Sequence, residues 1–251
     1  MAVEKKYELT DETIEFDGRT LHLIEALRSF GDVKAGELGG WIEKEGNLSH
    51  DGNCWVGNNA KVYDNAKVFG DANVLGFSHV SGDARVYGNA RVYEYAKVHG
   101  YAEVYDSAKV FGGAEVYGNA KVYDNAWVYG GAEVSGDARV FGGACVLEDA
   151  RVFDMARVSN AVKVYGDAAI YGNADVCGTE EFGDDDRVYM RSHSTNEAHK
   201  DDAGKARVEL IPPLALIEIG KVLEFGAKKY GANNWRNGMH WSRFHGAALR
   251  H

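Results

Sequence analysis

The chain has 251 residues, a net charge of −10 and a composition that is 45% hydrophobic, with 31 glycines and 2 prolines. That balance excludes a disordered chain and predicts one or two folded domains. No stretch approaches the roughly 18 apolar residues of a membrane span, and the opening MAVEKKYELTDE lacks the apolar core of a secretory signal, so a cytoplasmic protein with no membrane partner is expected. Cys54, Cys145 and Cys177 form an odd set without metal-ligand spacing, which points to free thiols in a reducing compartment.

Residues 7–30 read as a hairpin turning at Asp17-Gly18, followed by an extended apolar segment. Residues 31–55 carry imperfect turns and read as a capping coil, so 1–55 forms an N-terminal cap. From Val56 every sixth residue up to position 176 is valine, with Ile170 as the exception, and from Ala60 to Ala174 the same step meets alanine except at Ser78 and Val162. The unit is A-x-V-(aromatic or Ser)-(Gly, Asp, Asn or Glu)-x, as in Ala84-Arg85-Val86-Tyr87-Gly88-Asn89. A period of six is incompatible with the 3.6 of a helix but suits a short strand followed by a corner. Alternation along a strand sends Ala and Val to one face and the x residue and the aromatic to the other. Valine packs well on a buried pleated face, alanine fits a tight interior corner, and Gly, Asn and Asp tolerate the positive φ that turns the chain. Residues 56–177 are therefore expected to form a parallel β-solenoid.

This repeat resembles the hexapeptide motif of left-handed β-helix proteins over some 120 residues. The resemblance implies a mainly β fold, a left-handed parallel β-helix with three six-residue units per 18-residue triangular coil and about seven coils. This sequence departs from that motif by placing Tyr or Phe directly after the aliphatic residue. The segment GDVKAGELGGWI, residues 31–42, resembles the lead-in of phage-encoded hexapeptide-repeat proteins, which implies a phage origin and residence in the bacterial host cytoplasm.

An 18-residue coil stacks Phe69, Tyr87, Tyr105, Tyr123 and Phe141 in one outward column. Such a ladder either stabilises the sheet or offers an apolar stripe to a partner or a second subunit, and a homo-oligomer is expected. Relatives of this fold include acyltransferases and carbonic anhydrases that use histidines on the column. Here His79 and His99 are the only histidines between 56 and 176, they fall in different columns, and no third zinc ligand accompanies them. A hexapeptide acyltransferase is accordingly the least favoured reading. Lys and Arg recur before the valines, so the solenoid surface is mixed in charge, and neither DNA mimicry nor a nucleic-acid partner is expected.

Residues 178–206 are polar, acidic and aperiodic and read as a linker. Beyond them, residues 203–251 hold 8 basic and 3 acidic residues, a balance that suits an anionic ligand. Pro212-Pro213 opens a helix carrying Leu214, Ile217, Val222 and Phe225 at helical spacing and stopping at Gly231, and a second helix begins near Ser242. This small α-helical segment, 207–251, is too short to bury a core alone and is expected to be completed by the solenoid end, a second subunit or further sequence. Lys205, Arg207, Lys228, Lys229, Arg236 and Arg250 suit phosphate pairing, Tyr230 or Trp235 suits stacking on a base, and Glu218 is the helical carboxylate placed to meet a metal.

The words KDDAGKARVELIPP (200–213), FGAKKYGANNW (225–235) and ALRH (248–251) resemble the dATP/dGTP diphosphohydrolase N-terminal family, akin to the all-α MazG-type nucleotide pyrophosphohydrolases. The resemblance implies a purine deoxynucleotide as ligand, Mg²⁺ as cofactor if the module is catalytic, and Asp201, Asn234 and His251 as further binding positions. Family members continue past the Arg-His pair with further helices, whereas this sequence ends at His251. Two functional classes follow: a nucleotide-directed hydrolase-like module on a solenoid scaffold, or a non-enzymatic binding or assembly protein, such as a host-defence antagonist, with a vestigial tail. No catalytic residue is assigned.

Overall fold

The six-residue period becomes a three-faced coil. The computed structural model describes residues 4–190 and 199–201. Each rung pairs in parallel with the residue eighteen positions on, as Arg91 with Lys109 and Val92 with Val110. Three sheets result. The first face runs through Lys61–Val62, His79–Val80 and on to Arg187–Met190. The second runs from Lys67–Val68 to Asp175–Val176, and the third from Trp55–Val56 to Glu181–Phe182. The third face has eight strands, which sets the height at about eight turns.

The interior is what the alternation dictates. The repeat valines from Val56 to Val164 and every repeat alanine from Ala60 to Ala174 are buried. The two exceptions in the alanine series are accommodated: Ser78 Oγ donates to Leu75 O at 2.8 Å, and Val162 is fully enclosed. Most solenoid rungs pair over only two residues, shorter than the alternation suggests. The flanking alanine and aromatic already bend toward the corners, yet their backbone groups still join neighbouring coils, as in Arg91 N to Ala108 O at 2.9 Å and Tyr93 N to Val110 O at 3.0 Å. At the corners the chain turns through left-handed residues, glycine at Gly88 (φ 68°) and aspartate at Asp106 (φ 54°).

At the N-terminal end, β1 (Tyr7–Phe16) and β2 (Arg19–Ala26) form the expected hairpin, with Asp17 and Gly18 both at positive φ. β3 (Leu38–Ile42) runs antiparallel to β2 and parallel to Lys61–Val62, so the hairpin extends the first face and covers its open edge. Lys6 is wholly buried there; its Nζ donates to Cys54 O at 2.9 Å and to Gly52 O at 3.3 Å, and it lies 4.9 Å from the Phe30 ring centroid. Tyr7 Oη donates to Leu48 O and lies within hydrogen-bond distance of Glu45 O, both at 2.8 Å, and so ties the hairpin to the first coil.

Two boundaries differ from the expectation of seven coils over 56–177. The first coil begins at β3, because Leu48 bridges to Val68 and Trp55–Val56 pairs with Asn73–Val74. In this coil Asn47 takes the interior corner, its amide bonded to Asp64 O (3.1 Å), Ala66 O (2.9 Å) and Lys44 N (2.9 Å). The far end also runs on. Phe182 pairs with Val164 and Val188 with Ile170, so the segment expected as a linker from 178 supplies two more rungs. The six-step continues there as Phe182 and Val188, but the alanine positions become Glu180, which is exposed, and Asp186. His199–Asp201 then pairs antiparallel with Arg187–Tyr189. The helices expected within 207–251 lie outside the described residues.

Candidate functional site

The second face carries the ladder that the 18-residue spacing marks. Phe69, Tyr87, Tyr105, Tyr123 and Phe141 stack with successive ring centroids 4.8, 4.9, 4.9 and 4.9 Å apart and interplanar angles of 4° or less. Each ring covers its neighbour's face, so all five are half-buried, and the three inner rings are sandwiched on both faces. Tyr87 Oη reaches Glu103 Oε2 at 3.3 Å, and Lys121 Nζ meets the same oxygen at 3.2 Å. Burial, reinforced by Glu103, holds the Tyr87 phenol up at about 12; burial, with Tyr123 and Tyr87 alongside, does the same for Tyr105.

Beside the lower rungs of this ladder lies a shallow groove of about 470 Å³. Lys67 and Arg85, one coil apart, line it with Lys44 from the first coil, Asp83, Glu103 and the exposed Tyr101. Sequence reasoning missed this grouping. Lys67 and Arg85 share a column that the period reveals, but Lys44 precedes the regular repeat and its approach depends on the 3-10 turn Glu45–Asn47. Three cations, an exposed aromatic ring and two carboxylates thus share the groove, with a net excess of positive charge.

The histidines are held by separate neighbours on the first face. His99 Nε2 lies 2.8 Å from Glu115 Oε1, and the His79 ring packs edge-on to Phe16 at 5.0 Å. Burial, then Lys61 and Lys97, holds His79 below the usual imidazole range. Among the described residues no group of three His, Cys, Asp or Glu side chains is placed to hold a metal ion. Of the positions marked for nucleotide binding, Asp201 has a described backbone, opposite Arg187. Lys205, Arg207, Lys228, Lys229, Tyr230, Asn234, Trp235, Arg236, Arg250 and His251, with Glu218 as the metal position, lie outside the described residues.

The fold and its columns define a β-solenoid repeat protein. Residues 80–94 and 84–100 match the family described as YdcK Beta solenoid repeat. Residues 195–251 match the family described as dATP/dGTP diphosphohydrolase, N-terminal. The chain is thus a β-solenoid repeat protein with a dATP/dGTP diphosphohydrolase N-terminal-like segment. No curated protein matches it.

Proposed function

We propose that the solenoid is a scaffold, phage-encoded and left-handed in its coil, that carries a purine-deoxynucleotide-binding module in residues 195–251. The observation that supports this reading is the family match, which spans all the phosphate-pairing and stacking positions from Asp201 to His251. Lys205, Arg207, Lys228, Lys229 and Arg250 supply cations for a triphosphate, and Tyr230 or Trp235 a ring for the base. Mg²⁺ would screen the phosphates of such a ligand; Glu218 is the carboxylate assigned to it, and the described residues add no ligand cluster. Titration calorimetry of the full chain with dGTP and dATP, with and without Mg²⁺, tests the reading. Saturable binding that weakens about tenfold or more in Lys228→Ala/Lys229→Ala supports it, and no heat with either nucleotide removes it. Release of pyrophosphate or of the nucleoside monophosphate in the same mixtures separates a hydrolase from a binding module.

A further inference from the structure

The third face differs from the other two in charge and in symmetry. Its ladder, one position after each valine, reads Gly57, Leu75, Tyr93, Phe111, Tyr129, Leu147, Tyr165 and Gly183. Six apolar side chains stand between two glycines, and all six are half-buried in the single chain. Tyr93, Phe111 and Tyr129 stack with centroids 4.8 Å apart. The adjoining column, one position before each valine, carries Arg91, Lys109 and Lys163 and no acid from Asn73 to Lys163. It also carries Trp127, 40% exposed, with Lys109 Nζ 4.4 Å from its ring centroid. Two of the carboxylates at the face's corner, Glu94 and Glu148, are turned toward the next coil of the same chain, accepting from Gly112 N (2.9 Å) and Gly166 N (2.8 Å).

We propose that this face docks a second copy of the chain, face to face and antiparallel. With eight rungs, the midpoint falls between Lys109 and Trp127. A two-fold axis there, lying along the strand direction, keeps each column opposite itself and reverses the rung order. Phe111 then faces Tyr129 of the second copy, Tyr93 faces Leu147 and Leu75 faces Tyr165. In the adjoining column Lys109 faces Trp127, Arg91 faces Cys145 and Asn73 faces Lys163, so apolar meets apolar and no cation meets a cation. The second face lacks this property. Centred on its five-ring ladder, the same operation sets Glu103 against Glu103, Arg85 against Lys121 and Lys67 against Arg139. The third face, ~35 Å tall and ~15 Å wide, offers roughly 500 Å² per copy, at the small end of specific interfaces. The dimer is therefore expected to dissociate in the micromolar range.

Sedimentation velocity on the full chain from about 5 to 500 µM tests the proposal. The expected result is a monomer–dimer equilibrium that Phe111→Glu weakens about tenfold or more. Cys145→Arg, which sets a cation against Arg91 of the second copy twice per dimer, weakens it about tenfold. Adding Arg91→Glu to Cys145→Arg restores wild-type association or better. Circular dichroism melts verify that each variant folds, and the Cys145 pair keeps the test open if Phe111→Glu does not. A chain that stays monomeric at 500 µM, as it would if its own 202–251 segment covered the face, overturns the proposal. So does an oligomer indifferent to these substitutions.

Discussion

Five carboxylates sit at left-handed corner positions, and each accepts a hydrogen bond from the glycine N–H one coil further on. The pairs are Asp64–Gly82 (3.2 Å), Glu94–Gly112 (2.9 Å), Asp124–Gly142 (3.1 Å), Glu148–Gly166 (2.8 Å) and Asp154–Gly172 (3.0 Å). The coil-to-coil ladder uses the N–H of the next residue instead, as in Asn125 N to Gly142 O at 2.8 Å. The corner N–H is thus left over by the backbone, and an acid eighteen residues earlier satisfies it. The left-handed backbone costs an aspartate more than a glycine, and the added bond offsets part of that cost. Asp124→Ala is expected to lower stability by about 1 kcal/mol, while Asp124→Asn, which keeps an acceptor oxygen, retains most of it. Urea unfolding of both variants checks this; equal losses would show that the bond contributes nothing. The six-step makes these corners legible as turns, but not as acceptor sites, because the bond becomes visible only when the corner residues are aligned at eighteen.

The ring ladders act as single elements because each phenol is desolvated by the next ring. An unfolded tyrosine ionises near pH 10, while Tyr87 and Tyr105 in the folded ladder ionise at about 12. Between those values the unfolded chain binds fewer protons than the native one, so stability is complete below pH 10 and falls as the pH rises toward 12. Replacing both residues by Phe removes two of the groups that titrate and should flatten the melting temperature across that window. A profile unchanged by Tyr87→Phe/Tyr105→Phe would place the alkaline loss elsewhere. The ladder is legible in the residue spacing, since Phe69 to Phe141 share one column once the coil is set at eighteen. That its rings lie flat on one another, half-buried, is not. Alternation fixes the side of the sheet but not the side-chain torsion, and only the ~4.8 Å rise between coils makes parallel stacking the close-packed choice.

For the whole molecule, the regular coils follow from the valine and alanine columns, while the ends obey no such period. Asn47 and Glu180 depart from the repeat for different reasons. The Asn47 amide takes over backbone bonds at the interior corner, and Glu180 sits in the last coil, where it is exposed. The groove of Lys44, Lys67 and Arg85 is hidden from the repeat for the same cause, since one wall belongs to the irregular first coil. A solenoid transmits order only between adjacent coils, so a change of length is felt locally. Removing residues 109–126 takes out one whole coil and rejoins Tyr93 to Tyr129, Tyr105 to Phe141 and Glu94 to Gly130. Removing 127–132 leaves the valine and alanine core continuous but sets Phe111 over Ser135, Tyr123 over Leu147 and Asp124 over Glu148. The first deletion is expected to melt in one step and the second in two, followed by circular dichroism; a single step in both would show that the core alone couples the coils.

That contrast comes from the register of Arg91 with Lys109. The inside of this protein repeats every six residues and its outside every eighteen. A duplication or loss of six is silent to the core and scrambles the surface, whereas one of eighteen passes unnoticed by both. The chain is a ruler with two graduations, and only the coarser one lets it lengthen or shorten, by ~4.8 Å at a time, while keeping its outward columns aligned.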